Sequence, residues 1–175
     1  MASIGHVAVG LAAGRAFTKD PARAKQAMWL FAIVSLWPDV DVVGFLFGVR
    51  YGDPFGHRGA THSLAMALVA GALCGVFARR RGWPPLRTAI VGTVVAASHG
   101  LLDTMTYGGG LGVALLWPFS TARFWAPAAL RIIPIAPIGL GILSPIGVKV
   151  MLAELFVFAP FWIYAFAPRR APRPG

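Results

Sequence analysis

The chain has 175 residues, of which 57% are apolar and 13% are charged, and its mean hydropathy is +0.69. Soluble domains carry about 25% charged residues, so this composition does not fit a soluble enzyme, and it is too apolar for a disordered chain. The single cysteine, Cys74, excludes a secreted disulfide scaffold. These limits predict an all-α polytopic membrane protein, with one transmembrane domain over residues 1–167 and a disordered basic cytoplasmic tail over 168–175.

Five apolar segments predict a bundle of about five transmembrane helices. In chain order they cover approximately residues 6–17, 26–47, 62–78, 88–105 and 145–167. A helix needs roughly 20 apolar residues to cross a bilayer, so the first segment is short. Pro38 should break the second helix, because proline lacks the N–H group that continues a helix. The apolar stretch 128–144 contains two prolines and is expected to form a re-entrant or interfacial segment.

The basic residues predict the orientation of these spans. There are 16 Lys and Arg against 6 Asp and Glu, and the basic residues lie in short blocks between apolar segments. Such blocks are typical of membrane flanks rather than of a nucleic-acid-binding face, so no nucleic acid partner is expected. The loops 18–25 and 79–87 and the tail carry most of the positive charge, which places them in the cytoplasm. The amino terminus is then outside and the carboxyl terminus inside.

Seven of the ten acidic and histidine residues fall near the predicted outer side of the bundle. They are His6, Asp39, Asp41, His57, His62, His99 and Asp103. Ionisable groups in apolar segments are costly and are mostly functional. His99 and Asp103 are four residues apart, so they leave the same helix face, as two metal ligands or a ligand and its orienting carboxylate would. A hydrogen bond between spans is the structural alternative.

The other polar motifs also suit a cation. Asp39 and Asp41 lie about 200° apart around an α-helix, but a break at Pro38 would let both turn to one side. Neighbouring carboxylates in apolar surroundings repel unless a cation compensates them, although a structural double cap is the alternative. The segment 57–63 holds two imidazoles and Arg58, whose planar fork fits a phosphate or carboxylate. The alternative for this segment is a loop that contacts lipid headgroups.

Three carboxylates and four imidazoles suffice for one to three divalent ions, with zinc favoured and manganese as the alternative. A bound metal makes a nucleophile from water, so the set predicts metal-assisted hydrolysis. In this hypothesis Arg58 stabilises the developing anion, and Asp41 is a general base or a bridging ligand.

The motifs together resemble the YdjM-like family of membrane-bound, metal-dependent hydrolases. The resemblance runs from His6 to about Phe119 and rests on His6, Trp37-Pro38-Asp39-Val40-Asp41, the segment 57–63, Ser98-His99-Gly100-Leu101-Leu102-Asp103 and Trp117-Pro118-Phe119. It implies a metal site at the same seven residues and a location in the cytoplasmic membrane of a bacterium or archaeon. A more distant similarity to the zinc-dependent phospholipase C and nuclease group implies phosphoester hydrolysis. A site at membrane depth would then meet a membrane lipid or a lipid-linked substrate.

Two other functions use the same residues. A transporter of metal ions or protons would need ionisable groups that extend toward both faces of the membrane, and Glu154 in the last segment keeps this alternative open. A non-catalytic protein could instead use a metal only to hold its helices together, with every coordination position closed.

Overall fold

The computed structural model describes residues 4–137 and 139–168, and these residues are mostly helical. The α-helices among them are α1 (Ile4–Phe17), α2 (Pro21–Leu36), α3 (Leu64–Arg80), α4 (Pro85–Thr104), α5 (Pro145–Val157) and α6 (Ala159–Phe166). A 3₁₀ helix, Trp37–Phe47, continues α2. Two short strands, β1 (Thr106–Tyr107) and β2 (Ile133–Pro134), pair in parallel. Residues 169–175 of the predicted tail lie outside the described residues.

Two helical hairpins bring the predicted site to one end of the bundle. Helix α1 packs along α2, and α3 packs along α4. Capping side chains start two of these helices: Asp20, in the turn between α1 and α2, accepts from the N–H of Ala22, and Ser63, just before α3, accepts from the N–H of Met66. The beginnings of α1 and α3 and the end of α4 therefore lie together, and we call this the site end. The opposite, basic end holds the turns 18–20 and 81–84.

Small residues let the helices of each hairpin approach closely. Gly10 of α1 faces the backbone of Phe31 and Ala32 in α2, and no side chain would fit between them. Transmembrane helices commonly pack through such small residues. Toward the basic end the core is apolar, with Phe31 and Val95 almost wholly buried.

The outer surface of the bundle is apolar. Trp29, Ile33, Leu68 and Val94 are each more than 60% exposed. Two helical stretches, Pro21–Phe47 and Pro85–Thr104, are long and apolar enough to cross a membrane, and a third results if α5 and α6 form one span. The predicted helical membrane bundle is confirmed at this level, but the count of five spans is not.

Three segments differ in detail from straight α-helical spans. The predicted last span, 145–167, is two helices that meet at Phe158 with a bend of 64°. Pro160 accounts for the bend, because it has no N–H to donate to the carbonyl of Phe156. The described residues of 128–144 form short 3₁₀ turns and β2 rather than an α-helix. The change from α to 3₁₀ winding after Leu36 occurs next to Pro38, where a break was predicted.

Candidate metal centre

Six of the seven predicted ligands form two groups at the site end. One group is His6, His99 and Asp103, and the other is Asp39, His57 and His62. Within each group, one donor atom from every residue lies within 4.8 Å of the others. The groups adjoin, because His99 Nε2 is 3.3 Å from Asp39 Oδ1 and His62 Nε2 is 3.6 Å from Asp103 Oδ2. The structure therefore brings residues from α1, the 3₁₀ helix, the 57–63 loop and α4 into one cluster.

The 3₁₀ helix explains how two neighbouring acids serve this cluster from one segment. With three residues per turn, side chains two positions apart are separated by about 120° measured the shorter way around the axis. The same spacing in an α-helix, about 200° around the axis, is about 160° the shorter way. Asp39 faces the Nε2 atoms of His62 and His99, whereas Asp41 faces His57 and the other side of the His62 ring.

The hydrogen bonds of His99 and His62 leave a nitrogen lone pair on each ring for a metal. His99 Nδ1 lies 2.6 Å from the carbonyl oxygen of Ser35, which can only accept, so Nδ1 carries the proton. His62 Nδ1 lies 3.1 Å from Asp41 Oδ2, which as a carboxylate oxygen can also only accept, so this Nδ1 carries a proton as well. Both Nε2 atoms are buried and have no hydrogen-bond partner within the described parts of the chain. Buried polar atoms are nearly always satisfied, so these nitrogens fit a bound cation.

His6 lies directly beside this pair. Its ring stacks on that of His99 with the ring centres 3.6 Å apart and the planes 11° from parallel. His6 Nε2 lies 3.5 Å from Asp103 Oδ1, and neither ring nitrogen of His6 makes a hydrogen bond to a described residue. The amino-terminal helix therefore contributes a third imidazole whose nitrogens are open to a ligand.

Asp41 holds the loop that carries the imidazoles. Its carboxylate accepts from His57 Nδ1 at 2.9 Å, from the Thr61 hydroxyl at 2.8 Å and from the Arg58 N–H at 3.3 Å. Together with the His62 contact, these bonds orient both rings, as a carboxylate behind metal-bound histidines does. The use of Asp41 as a direct ligand or a base stays a prediction. Thr61 has a role here that its sequence position did not indicate.

The acids around His62 favour a positive charge at this point. Carboxylate oxygens of Asp39, Asp41 and Asp103 lie 3.1–3.6 Å from the ring nitrogens of His62, so negative charge is concentrated around this ring. A divalent cation in the cluster would compensate the same negative charge.

Arg58 is wholly buried and held in place along most of its guanidinium. Its Nε is 3.2 Å from Asp103 Oδ2, and its Nη1 donates to the Thr106 hydroxyl at 3.1 Å and to the Leu111 carbonyl at 3.3 Å. The guanidinium also lies over the ring of Trp125, 5.4 Å from its centre. Its remaining nitrogen, Nη2, has no hydrogen-bond partner among residues 4–137 and 139–168. The role predicted for Arg58, the stabilisation of a developing anion, stays a prediction.

Arg123 supports the loop from outside the cluster. Its guanidinium donates to the carbonyl oxygens of Tyr51, Asp53, His57 and Gly112 at 3.0–3.3 Å. The sequence analysis assigned it no role. An arginine in a stretch without acidic residues was the only available signal.

Glu154 supports the first helix in a similar way. This fully buried side chain accepts from the N–H of Gly5 at 3.0 Å, next to His6. An acid at a helix amino terminus is stabilising. Glu154 therefore lies at the site end.

The fold and this cluster define a helical membrane protein with a buried centre of histidines and aspartates. The family described as YdjM inner membrane protein matches residues 1–171, and the chain belongs to this family. The match extends through the carboxyl-terminal third, beyond Phe119, where the resemblance in the motifs ends. The chain is also 47% identical over 131 residues to the inner membrane protein YbcI of Escherichia coli (strain K12), which covers 72% of this chain and 73% of that protein. No solved structure is significantly similar to the chain.

Proposed function

We propose that this inner membrane protein is a metal-dependent hydrolase that cleaves a phosphoester in a lipid or lipid-linked substrate. The observation that carries the proposal is the set of buried Nε2 atoms on His6, His62 and His99 that make no hydrogen bond to a described residue. Arg58, whose Nη2 likewise has no partner there, is linked to this set through Asp103, which lies 3.2 Å from its Nε. Nitrogen and oxygen donors together favour zinc, with manganese as the alternative. The two adjoining ligand groups suit two ions, within the predicted range of one to three.

Each part of the cluster has a chemical role in this proposal. Divalent ions held by the two ligand groups would lower the pKa of water at the site to about 7 and would so supply a nucleophile at neutral pH. Arg58 binds the phosphoryl oxygens through Nη2 and stabilises the charge that develops on them. Asp41 keeps His57 and His62 in orientation, or takes a proton as a base. The oxygen of water bonds to phosphorus, the bond from phosphorus to the alcohol oxygen breaks, and the alcohol leaves with one proton of that water.

The position of Glu154 favours an enzyme over a transporter. A relay would extend ionisable groups from the site toward the opposite face of the membrane. Glu154 was the one residue of the last segment that suggested such an extension, and it lies against Gly5 at the site end. A purely structural metal is less well supported, because the open Nη2 of Arg58 beside the cluster has no use in a closed ligand set.

We place the site end on the extracytoplasmic side, because the basic end carries the blocks of Lys and Arg. Cysteine labelling tests this facing in a Cys74→Ala background, with Asp53→Cys at the site end and Arg80→Cys at the basic end. An impermeant thiol reagent applied to intact cells should label the first variant and not the second. The reverse pattern would overturn the facing.

Metal analysis combined with a hydrolysis assay tests the function. Purified protein in detergent should contain stoichiometric zinc or manganese and should release phosphate or alcohol from phosphoester substrates, and removal of the metal should abolish this activity. His99→Ala should lose both metal and activity. Asp20→Asn should keep both, because Asp20 caps α2 at the basic end and asparagine is an equally good cap. Wild-type protein without metal, or with metal but no hydrolysis of any phosphoester, would contradict the proposal.

A further inference from the structure

A cavity of about 660 Å³ opens beside the metal cluster. Its volume lies within the range of small-molecule binding sites. Four polar side chains line it, and all belong to or adjoin the cluster: Asp39, Tyr51, His57 and Arg58. The remaining lining is apolar side chains and glycine, from the 3₁₀ helix, the glycines at 108–110, the segment 135–137, Gly139 and Ile142. The cavity therefore has one polar end and an apolar body.

The polar end has two donors that the described chain leaves unused. Arg58 Nη2 is one, and the hydroxyl of Tyr51 is the other, since this buried oxygen also has no hydrogen-bond partner among the described residues. The Tyr51 ring packs edge-on against His57, with the ring centres 5.3 Å apart, so it is held next to the cluster. A phenol is protonated at neutral pH, so the Tyr51 hydroxyl can donate a hydrogen bond. A guanidinium and a phenol together suit a phosphate group.

The apolar body reaches the outer surface of the bundle. Leu46 and Val43 line the cavity and are also 83% and 48% exposed, on the 3₁₀ helix that continues an apolar membrane-crossing stretch. Ile135 and Ile142, which come much later in the chain, also line the cavity. A hydrocarbon chain could therefore pass from the surrounding lipid to the polar end without crossing a polar surface.

We propose that the cavity binds the phosphate monoester of a long-chain alcohol, with its phosphate at Arg58 and Tyr51 and its chain between the 3₁₀ helix and Ile142. This inference rests on the proposed hydrolase function and names its substrate class. Beyond the four polar side chains at one end, no side chain among the described residues that line the cavity can hydrogen-bond to the ester groups of a glycerophospholipid. A single polar terminus on a hydrocarbon chain fits this arrangement better than a diacyl lipid does. Hydrolysis would release the long-chain alcohol and inorganic phosphate.

Tryptophan substitutions at two neighbouring positions test where the hydrocarbon chain of the substrate lies. Ile142→Trp fills the cavity, whereas Leu143→Trp is a matched control on the same 3₁₀ turn, because Leu143 is 72% exposed and does not line the cavity. Phosphate release is measured with dodecyl phosphate, butyl phosphate and dioleoyl phosphatidic acid in detergent micelles. The wild type should cleave dodecyl phosphate with the highest kcat/KM, at least about tenfold above butyl phosphate. Ile142→Trp should lose about tenfold on dodecyl phosphate through a higher KM, with butyl phosphate changed less than about twofold and Leu143→Trp unchanged.

Tyr51→Phe tests the phosphate end separately. Loss of one hydrogen bond to a charged group should raise KM for both alkyl phosphates by about tenfold, while metal content stays at the wild-type level. An unchanged KM would show that Tyr51 does not contact the phosphate and would overturn that part of the proposal.

The outcomes separate this inference from the function on which it rests. Equal rates on dodecyl and butyl phosphate, equal effects of the two tryptophan variants, or a preference for phosphatidic acid would each overturn the chain assignment and leave metal-dependent hydrolysis standing. Binding of dodecyl phosphonate by calorimetry covers the opposite case. Binding that Ile142→Trp weakens and Leu143→Trp does not, without hydrolysis of any of the three phosphates, would support the binding site and contradict the hydrolase. Absence of both binding and hydrolysis would overturn both proposals.

Discussion

The amino-terminal two thirds of the chain and its carboxyl-terminal third contribute to the site in different ways. Every member of the two candidate ligand groups lies between His6 and Asp103. The region after residue 119 adds none of them, but Glu154 contacts the start of α1, Arg123 holds the 57–63 loop, and Ile135 and Ile142 form a wall of the cavity. The first region carries the candidate chemistry, and the second gives it support and shape.

From this difference we expect variants in the two regions to change different properties of the protein. Substitutions among the ligands should remove metal and activity together. Substitutions in the carboxyl-terminal third should change stability or substrate preference while the folded protein keeps its metal.

The largest expected effect is that of Asp39→Ala. Asp39 Oδ1 lies 3.3 Å from His99 Nε2 and 3.6 Å from His62 Nε2, so it touches both ligand groups. Loss of a residue behind the ligands typically lowers metal affinity or activity by 10–100-fold. Asp39 is itself a candidate ligand, so loss of its carboxylate should lower activity by more than about 100-fold. Elemental analysis should show the loss of at least one ion per chain. Full metal content in Asp39→Ala would remove Asp39 from the site.

A smaller and different effect is expected for Glu154→Ala. The substitution leaves the buried N–H of Gly5 without this acceptor, which should lower the free energy of unfolding by about 1–3 kcal/mol. Thermal unfolding in detergent measures the loss, and Glu154→Gln, which keeps an acceptor oxygen, should lose less. The folded fraction of both variants should retain its metal. Metal loss from folded Glu154→Gln would place Glu154 among the ligands and end the distinction between the two regions.

The sequence was sufficient to pick out the candidate ligands that the fold brings together, because their signal is chemical. Seven acids and histidines at one level of an apolar chain are costly unless they act together, and the order of helices brings them to one end. The wall formed by Ile135 and Ile142 had no such signal, because an apolar residue that lines a cavity looks the same in the sequence as one that faces lipid. The roles of Glu154 and Arg123 depend on backbone groups far along the chain, and a single sequence does not show which backbone groups a side chain will meet.

The geometry of the second helix was partly predictable, because proline has a known effect on an α-helix. Pro38 marks a change in the helix, since it cannot continue the α-helical hydrogen bonds. A proline in the sequence does not predict whether the polypeptide changes direction at that point or continues as a tighter helix. The 3₁₀ winding over Trp37–Phe47 decides that Asp39 and Asp41 face different sides of the His62 ring, and only the structure shows it.

A moderate effect is expected for Thr61→Val, which tests support from within the first region. The Thr61 hydroxyl donates to Asp41 at 2.8 Å, and valine keeps the shape while removing the donor. Metal affinity should fall by about tenfold, as is typical for a group behind the ligands, and the fold should be retained. Competition with a chelator measures the affinity. Thr121→Val, at an exposed position, is the control, and equal affinities in the two variants would show that Asp41 does not need Thr61.

The smallest expected effect is that of Cys74→Ala. This variant tests whether metal binding depends on where a residue lies in the folded bundle or only on which part of the chain it belongs to. Cys74 lies in the ligand-bearing two thirds, but it is buried in the apolar core of α3 and α4, where it packs near Gly92. Removing one sulfur atom from a packed core should cost about 1 kcal/mol or less in unfolding free energy. Metal content and activity should stay at wild-type levels, because the metal depends on the site end rather than on the whole amino-terminal region. A fall in bound metal in this variant would mean that a thiolate belongs to the centre, and that the ligand set of imidazoles and carboxylates is incomplete.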